Sequence, residues 1–246
     1  MPRKPRTKED EFFRAMKLAD AGRYAKAIEA YTAVIEKYPD YDRPYNERAM
    51  ARLHLDQNEE AVADFRRCLA INPDYPGARD WLARTLFELK RFAEAAAEKR
   101  EELRRCPEPH QGMGICPQSW AECADYYRAA GNDQAALAVL DDYFRDYADK
   151  VTDYARYTTA PMRRYAELML DRGEPESAVR VMRKAFAHPA RCPMDGLVWL
   201  RALVAAGRYD EARRVSANVE AHVLAGATGK ALLAEIAAHD KPKRKT

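Results

Sequence analysis

The sequence contains little serine, no long apolar run and no regular cysteine framework. Three of the 246 residues are serine, and no apolar stretch approaches the roughly 18 residues that a membrane-spanning helix requires. The five cysteines are odd in number and irregularly spaced, which is typical of reduced thiols rather than of a secreted disulfide scaffold. We therefore expect a cytoplasmic protein without membrane spans, and the abundance of arginine and alanine indicates a bacterial gene.

The sequence also lacks the short motifs that mark common enzymes. It contains no HExxH zinc-protease motif, no GxSxG nucleophile turn, no P-loop signature and no GxGxxG dinucleotide fingerprint after a strand. Its five histidines are scattered, and its many carboxylates are typical of solvated helix faces. We predict no catalytic residue and no cofactor, so we do not expect an enzyme.

The net charge of +3 is concentrated in the tails. Four basic residues fall within residues 1–8 and four within residues 241–246, so the stretch between them is net negative. A nucleic-acid-binding domain is usually basic over its folded surface, so this distribution argues against nucleic acid as a partner. The alternative is a nucleic-acid-associated repeat protein whose basic tails contact phosphate. Because residues 9–11 are acidic, we do not expect the basic N-terminal stretch to be a secretory signal.

The chain repeats itself with a period of 34 residues. Three columns keep this spacing: Pro39, Pro73 and Pro107; Ala27, Ala61 and Ala95; Tyr24, Asn58 and Phe92. Within each unit, apolar residues recur at helical spacing in two segments that are separated by a short turn and closed by proline. The period and the pattern predict a series of helical hairpins.

These units resemble tetratricopeptide repeats. That family's pattern places a small residue at position 8, alanine at 20, an aromatic residue at 24 and proline at 32, and the second unit, which begins at Asp42, supplies Ala49, Ala61, Phe65 and Pro73. In the third unit Lys99 stands where the aromatic residue belongs. The resemblance also implies an ion pair between Arg48 and Asp64, which would tie the two helices of the second unit together.

The second half of the chain fits the same template more loosely. Units begin at Pro117, near Thr159 and at Pro193, and Gly22, Gly131, Gly173 and Gly207 occupy the turn between helices, where glycine adopts a positive φ at little cost. The predicted organisation is a basic tail (1–7), three well-formed units (8–109), an insertion (110–116), three divergent units (117–226), a capping helix (227–240) and a basic tail (241–246). A second insertion, 151–158, separates the fourth and fifth units.

The resemblance implies an all-α, right-handed superhelical solenoid of about six hairpins plus the capping helix, or about 13 helices. Most proteins of this family are scaffolds, adaptors or co-chaperones that hold a protein or peptide in a concave groove lined by first helices. The groove positions of the family predict a partner-binding set: Phe12, Met16, Arg43, Asn46, Met50, His54, Arg84 and Phe87.

Within this set we expect Phe12 and Arg84 to matter most, as an exposed apolar anchor and a carboxylate-binding cation. In the alternative interpretation Phe12 covers the end of the first unit, Arg84 pairs with Asp80 or Glu88, and Phe87 packs between helices. If neither of the two leading residues is needed, the partner is expected on a tyrosine-rich stretch comprising Tyr143, Tyr147, Tyr154 and Tyr157.

One subfamily binds the C-terminal carboxylate of chaperones through a clamp of lysine, asparagine and arginine residues. The corresponding positions here hold Phe12, Met16, Glu47, Gly77 and Trp81. The clamp is absent, so we do not expect chaperone tails to bind in that mode.

Four residues have the chemistry of a zinc site: Cys106, His110, Cys116 and Cys123. Their spacing matches no standard zinc motif, and Cys123 falls at a position where the family buries an apolar side chain. Because cysteine without a partner behaves as a small hydrophobic residue, we predict no metal site.

Overall fold

In the computed structural model, residues 7–105, 117–146, 159–187 and 192–239 are described, and within these ranges the chain forms 14 α-helices and no strand. The chain divides into two compact units, Met1–Cys106 and Pro107–Thr246. The all-helical hairpin fold predicted from the sequence is confirmed.

The first unit consists of three helical hairpins. Its helices are α1 (Lys8–Asp20), α2 (Tyr24–Lys37), α3 (Asp42–Leu53), α4 (Asn58–Ile71), α5 (Ala78–Glu88) and α6 (Phe92–Arg105), and each packs on the next in chain order. Thr7 caps α1, because its hydroxyl accepts from the backbone N–H of Asp10 at 3.2 Å while the Asp10 carboxylate accepts from the Thr7 N–H at 3.0 Å.

The second unit holds three further hairpins and a final helix. Its helices are α7 (Pro117–Ala129), α8 (Asp133–Asp146), α9 (Ala160–Asp171), α10 (Pro175–Ala187), α11 (Pro193–Ala205), α12 (Tyr209–Ser216), α13 (Ala221–Leu224) and α14 (Ala227–Ala238). The final helix α14, expected as a cap over 227–240, packs against α11, α12 and α13.

The described residues contain one helix more than the 13 expected, because the second helix of the sixth hairpin is broken. Helix α12 ends at Ser216, whose hydroxyl donates to the carbonyl of Arg213 at 2.9 Å, and the Asn218 side chain donates to the carbonyl of Arg214 at 3.0 Å. Side chains that bond backbone carbonyls in this way compete with continuation of a helix. The chain then resumes as the short helix α13.

All six hairpins share a buried alanine on the second helix. These alanines have no exposed surface: Ala27, Ala61, Ala95, Ala136, Ala178 and Ala212. The first helices also carry a fully buried small residue in five hairpins, and Leu200 replaces it in the sixth: Ala15, Ala49, Ala83, Ala124, Ala166 and Leu200. Small side chains allow the two helix backbones to approach closely. Because each hairpin needs this contact, small residues recur along the sequence.

The turn between the two helices has a positive φ in every hairpin. Glycine supplies it four times, as expected, whereas Asp56 (φ 56°) and Lys90 (φ 61°) supply it in the second and third hairpins. A left-handed conformation costs a residue with a Cβ roughly 1–2 kcal/mol, and less for aspartate, whose short polar side chain bonds locally. Lys90 is therefore the most strained of the six turn residues.

Replacing Lys90 with glycine is expected to stabilise the protein. Lys90→Gly should raise the free energy of unfolding by about 1 kcal/mol because it removes the Cβ from a left-handed residue, and Asp56→Gly should raise it less. Urea denaturation of the full chain measures both. Gly22→Ala is the matched control, with the opposite expected sign. Apart from its chain neighbours, no described residue lies within 4 Å of the new Cβ, so the expected loss of about 1 kcal/mol comes from backbone strain. A loss of stability in Lys90→Gly would contradict this explanation.

The ion pair implied between Arg48 and Asp64 is confirmed. Asp64 is 3% exposed and accepts two hydrogen bonds from Arg48, at 2.6 and 2.8 Å, and one from Arg52 at 2.6 Å. Arg48 also donates to the Thr32 hydroxyl on α2 at 2.8 Å. One carboxylate therefore ties α3 to α4, and the arginine extends the link to the preceding hairpin.

Lys99, which replaces the family's aromatic residue, is buried with 1% of its surface exposed. Its ammonium pairs with Asp80 on α5 and with Glu102 one turn along α6. Burial alone would lower the pKa of Lys99, but the Glu102 and Asp80 carboxylates outweigh it and raise the pKa above its ordinary value. A cluster of three charged side chains thus replaces an aromatic contact in the third hairpin.

Candidate partner-binding surface

The first helices of the first unit, α1, α3 and α5, carry seven of the eight residues of the predicted partner-binding set, and His54 directly follows α3. The structure separates this set by exposure. Arg43, His54 and Arg84 are exposed; Met16, Met50 and Phe87 are partly buried; Phe12 and Asn46 are buried. The set is therefore only partly accessible to a partner.

Phe12 lies in the core of the first hairpin, and the expectation that it forms an exposed anchor is wrong. Its side chain is 1% exposed, and its ring lies 5.9 Å from that of Tyr31 and 5.7 Å from that of Tyr41, centroid to centroid. The Arg43 guanidinium stands 4.7 Å from the ring centroid. These neighbours enclose Phe12, so the position supports packing rather than binding.

The neighbouring residue, Phe13, is 43% exposed, and Trp81 is 42% exposed. They occupy the same place on α1 and α5, two repeats apart, with Glu47 at the equivalent place on α3. Because stacked hairpins keep one orientation, equivalent positions of first helices fall in one row. Phe13 is not in the predicted set because two adjacent phenylalanines fit the helical period equally well, although its match to Trp81 at twice the period was a usable signal.

Arg43 and Arg84 differ in how much of their charge is available. The Arg84 Nε donates to Asp80 at 2.8 Å, so the alternative interpretation of this residue is confirmed. Arg43 forms no ion pair with any residue that the structure describes, and its guanidinium lies 5.9 Å from the exposed Phe13 ring. An arginine of this kind beside an aromatic side chain suits a carboxylate on an incoming segment.

The Glu47 carboxylate lies between these groups along the row. It accepts from the Asn46 side-chain amide at 3.0 Å. Burial raises the pKa of Tyr75 to about 12, and the Glu47 charge adds to the shift. Burial and the same carboxylate also raise the pKa of Tyr31.

We call the five residues Phe13, Arg43, Glu47, Trp81 and Arg84 the first-helix surface. It combines two exposed aromatic side chains with charges of both signs.

Two further residues of the predicted set, His54 and Phe87, pack against other aromatic rings. His54 stacks on Tyr24 with centroids 4.1 Å apart and planes 11° apart, and the rings of Phe87 and Phe92 meet edge to face at 5.0 Å. The Asn46 amide oxygen, like the Tyr31 hydroxyl, is buried without a hydrogen-bond partner among the described residues. His54 thus links the second hairpin to the first, and Phe87 packs within the third.

Tyr143, the first residue of the tyrosine-rich stretch, is not exposed. Tyr143 is 1% exposed and packs 6.0 Å from the Trp120 ring. Tyr147, Tyr154 and Tyr157 lie outside the described residues. The expectation that Tyr143 contacts a partner is therefore wrong.

The candidate metal ligands lie mostly outside the described residues. Cys106, His110 and Cys116 belong to that part of the chain, whereas Cys123 is fully buried, as its repeat position implied. Among the described residues, no group of three or more histidine, cysteine, aspartate or glutamate side chains is placed to hold a metal ion. Within the same residues, none of the helices has the length and apolar character needed to cross a membrane.

The repeated hairpins of the first unit are similar to a known repeat family. The family model described as tetratricopeptide repeat matches residues 14–76 and 47–108, which together cover the hairpins of the first unit. This match covers less than half of the chain.

One curated relative matches part of the chain. A Dictyostelium discoideum protein named "Protein STIP1 homolog" is 30% identical over 90 residues, which are 36% of this chain and 16% of that protein. The chain thus spans about a sixth of that relative.

Solved structures show the same fold at low sequence identity. In a structure of Naa15/Naa10 bound to HypK-THB, the similar chain is 14% identical with a TM-score of 0.61, over 93% of this chain and 34% of that one. The Pseudomonas aeruginosa protein pilF is 13% identical with a TM-score of 0.59, over 93% and 97% of the two chains. YrrB, described as a tetratricopeptide repeat protein with an unusual peptide-binding site, is 14% identical with a TM-score of 0.51, over 76% and 93%.

The adjacent phenylalanines provide a direct test of which side chain faces the core. Phe12→Ala should lower the free energy of unfolding by about 3–5 kcal/mol because it empties a fully buried site, whereas Phe13→Ala should change it by less than about 0.5 kcal/mol. Chemical denaturation of the two variants measures the difference. Equal losses would show that the register of α1 is misplaced.

Proposed function

We propose that the protein is a non-catalytic scaffold or adaptor whose first-helix surface binds a peptide or a folded protein partner. The observation that carries the proposal is the pair of exposed aromatic side chains, Phe13 and Trp81, at equivalent positions of α1 and α5. A cytoplasmic setting in a bacterium is part of the proposal and rests on composition alone.

Aromatic exposure supports a binding role because large apolar side chains contribute most of the energy in protein interfaces. Tryptophan, tyrosine and arginine are enriched among the residues whose truncation weakens binding most. Here Trp81 and Phe13 are about 40% exposed, and Arg43 stands beside Phe13 with its guanidinium charge unpaired among the described residues. These groups suit a segment with apolar side chains next to an acidic one.

The comparisons support the same class of function. Similar structures include one with a bound protein, HypK-THB, and one described by its peptide-binding site. Tetratricopeptide repeat proteins generally mediate protein–protein interactions, and this general role is what the family contributes. The particular surface and its partner are our proposal.

Capture of a partner by the immobilised full chain tests the proposal. A Phe13→Ala, Trp81→Ala double variant should reduce capture of the main binding protein from a lysate of the source organism at least about tenfold, measured by quantitative mass spectrometry. Leu55→Ala is the matched control, because Leu55 is 39% exposed but lies in the turn between α3 and α4.

Two outcomes would contradict the proposal. Equal capture by the double variant and the parent would show that the partner binds another surface. Binding dominated by nucleic acid, with an affinity that falls steeply between low and moderate salt, would instead support the alternative in which the basic tails contact phosphate.

A further inference from the structure

The second unit contains a cleft between α8, α9 and α10 that has no counterpart in the proposed function. Its volume is about 610 Å³, within the range of roughly 300–1,000 Å³ that is typical of ligand sites. Phe144 and Asp141 on α8 form one wall, Met162 and Tyr165 on α9 form the floor, and Arg180 and Lys184 on α10 form the opposite wall.

The cleft exists because the fourth and fifth hairpins are less closely packed than their neighbours. Helix α8 is packed less extensively on α9 than α10 is on α11, or α2 on α3 in the first unit. The Phe144 and Tyr165 rings meet edge to face, with centroids 5.4 Å apart and planes at 85°, and so line the opening with aromatic surface. An apolar floor therefore remains between two second helices.

The wall formed by α10 carries two available positive charges. Arg180 and Lys184 are exposed, lie one helical turn apart, and form no ion pair within 4.0 Å with any described carboxylate; Arg180 donates to the Ser177 hydroxyl at 3.0 Å. Their neighbour Arg183, in contrast, pairs with Glu211 at 2.8 Å. On the opposite wall, burial and then the charge of Asp142 raise the pKa of Asp141.

We propose that this cleft binds an acidic segment of a protein partner, with a carboxylate side chain on Arg180 and Lys184 and an adjacent large apolar side chain against Phe144, Met162 and Tyr165. Arginine and lysine recognise carboxylates through charge-assisted hydrogen bonds. Met162 gives the floor a side chain that adapts to different apolar shapes. The charge pattern disfavours a polyanion such as nucleic acid, because Asp141 would face its successive phosphates.

Short peptides titrated into the full chain test this proposal. The probes are acetylated, amidated hexapeptides in a Gly/Ser background that contain a Glu–Phe, a Gln–Phe or a Glu–Ala pair. The methyl resonance of Met162 in a ¹³C-methyl-methionine sample reports binding at the cleft. We expect the Glu–Phe peptide to shift this resonance with an affinity at least about fivefold higher than either of the other two.

Variants of the walls give opposite expectations. An Arg180→Ala, Lys184→Ala double variant should weaken binding of the Glu–Phe peptide about tenfold or more, whereas Asp141→Asn should strengthen it two- to threefold because a like charge is removed. Arg201→Ala is the matched control, since Arg201 is an exposed arginine on α11 outside the cleft. The Phe13→Ala, Trp81→Ala variant should bind this probe as the parent does, which separates this proposal from the function assigned to the first unit.

Three results would overturn the proposal. These are equal affinity of the Glu–Phe and Gln–Phe peptides, unchanged affinity in the Arg180→Ala, Lys184→Ala variant, or saturation of binding without a shift of the Met162 methyl resonance.

Discussion

The close approach of two helices at a buried alanine is the constraint on which the structure depends. The six second-helix alanines have no exposed surface, and the facing first helices carry small residues at the matching place in five hairpins. Protein interiors leave little room at such contacts, so a larger side chain must displace a helix. Because every hairpin repeats the contact, the spacing of alanine along the chain sets the positions of the turns, of the helices and of the side chains that face outward.

Other positions of the repeat tolerate residues outside the family pattern where local contacts replace the lost interaction. Asp56 and Lys90 adopt the left-handed turn without glycine, and Lys99 replaces an aromatic side chain by pairing with Asp80 and Glu102. Because Lys99 is buried, removal of its carboxylate partners would leave an unpaired buried charge, which is strongly destabilising. The third hairpin therefore keeps the fold with a different set of interactions.

The sequence was sufficient to predict the helices and the hairpin register, because both follow from residue types at fixed spacing, and the family resemblance implied the Arg48–Asp64 ion pair. It was insufficient for the surface. Phe12 and Phe13 are adjacent in a helix, and only packing against Tyr31 and Tyr41 decides which one is buried. The cleft in the second unit depends on how far α8 separates from α9, and the break after Ser216 depends on side chains that bond carbonyls; neither feature follows from the period.

The most direct test of the alanine constraint compares two substitutions on one helix. Ala61 is fully buried and Ala63 is exposed on α4. Ala61→Phe should lower the free energy of unfolding by about 1–3 kcal/mol because it overpacks the contact between α3 and α4, whereas Ala63→Phe should change it by less than about 0.5 kcal/mol. The account would be contradicted if denaturation curves showed the same loss of unfolding free energy in both variants, or no loss in Ala61→Phe.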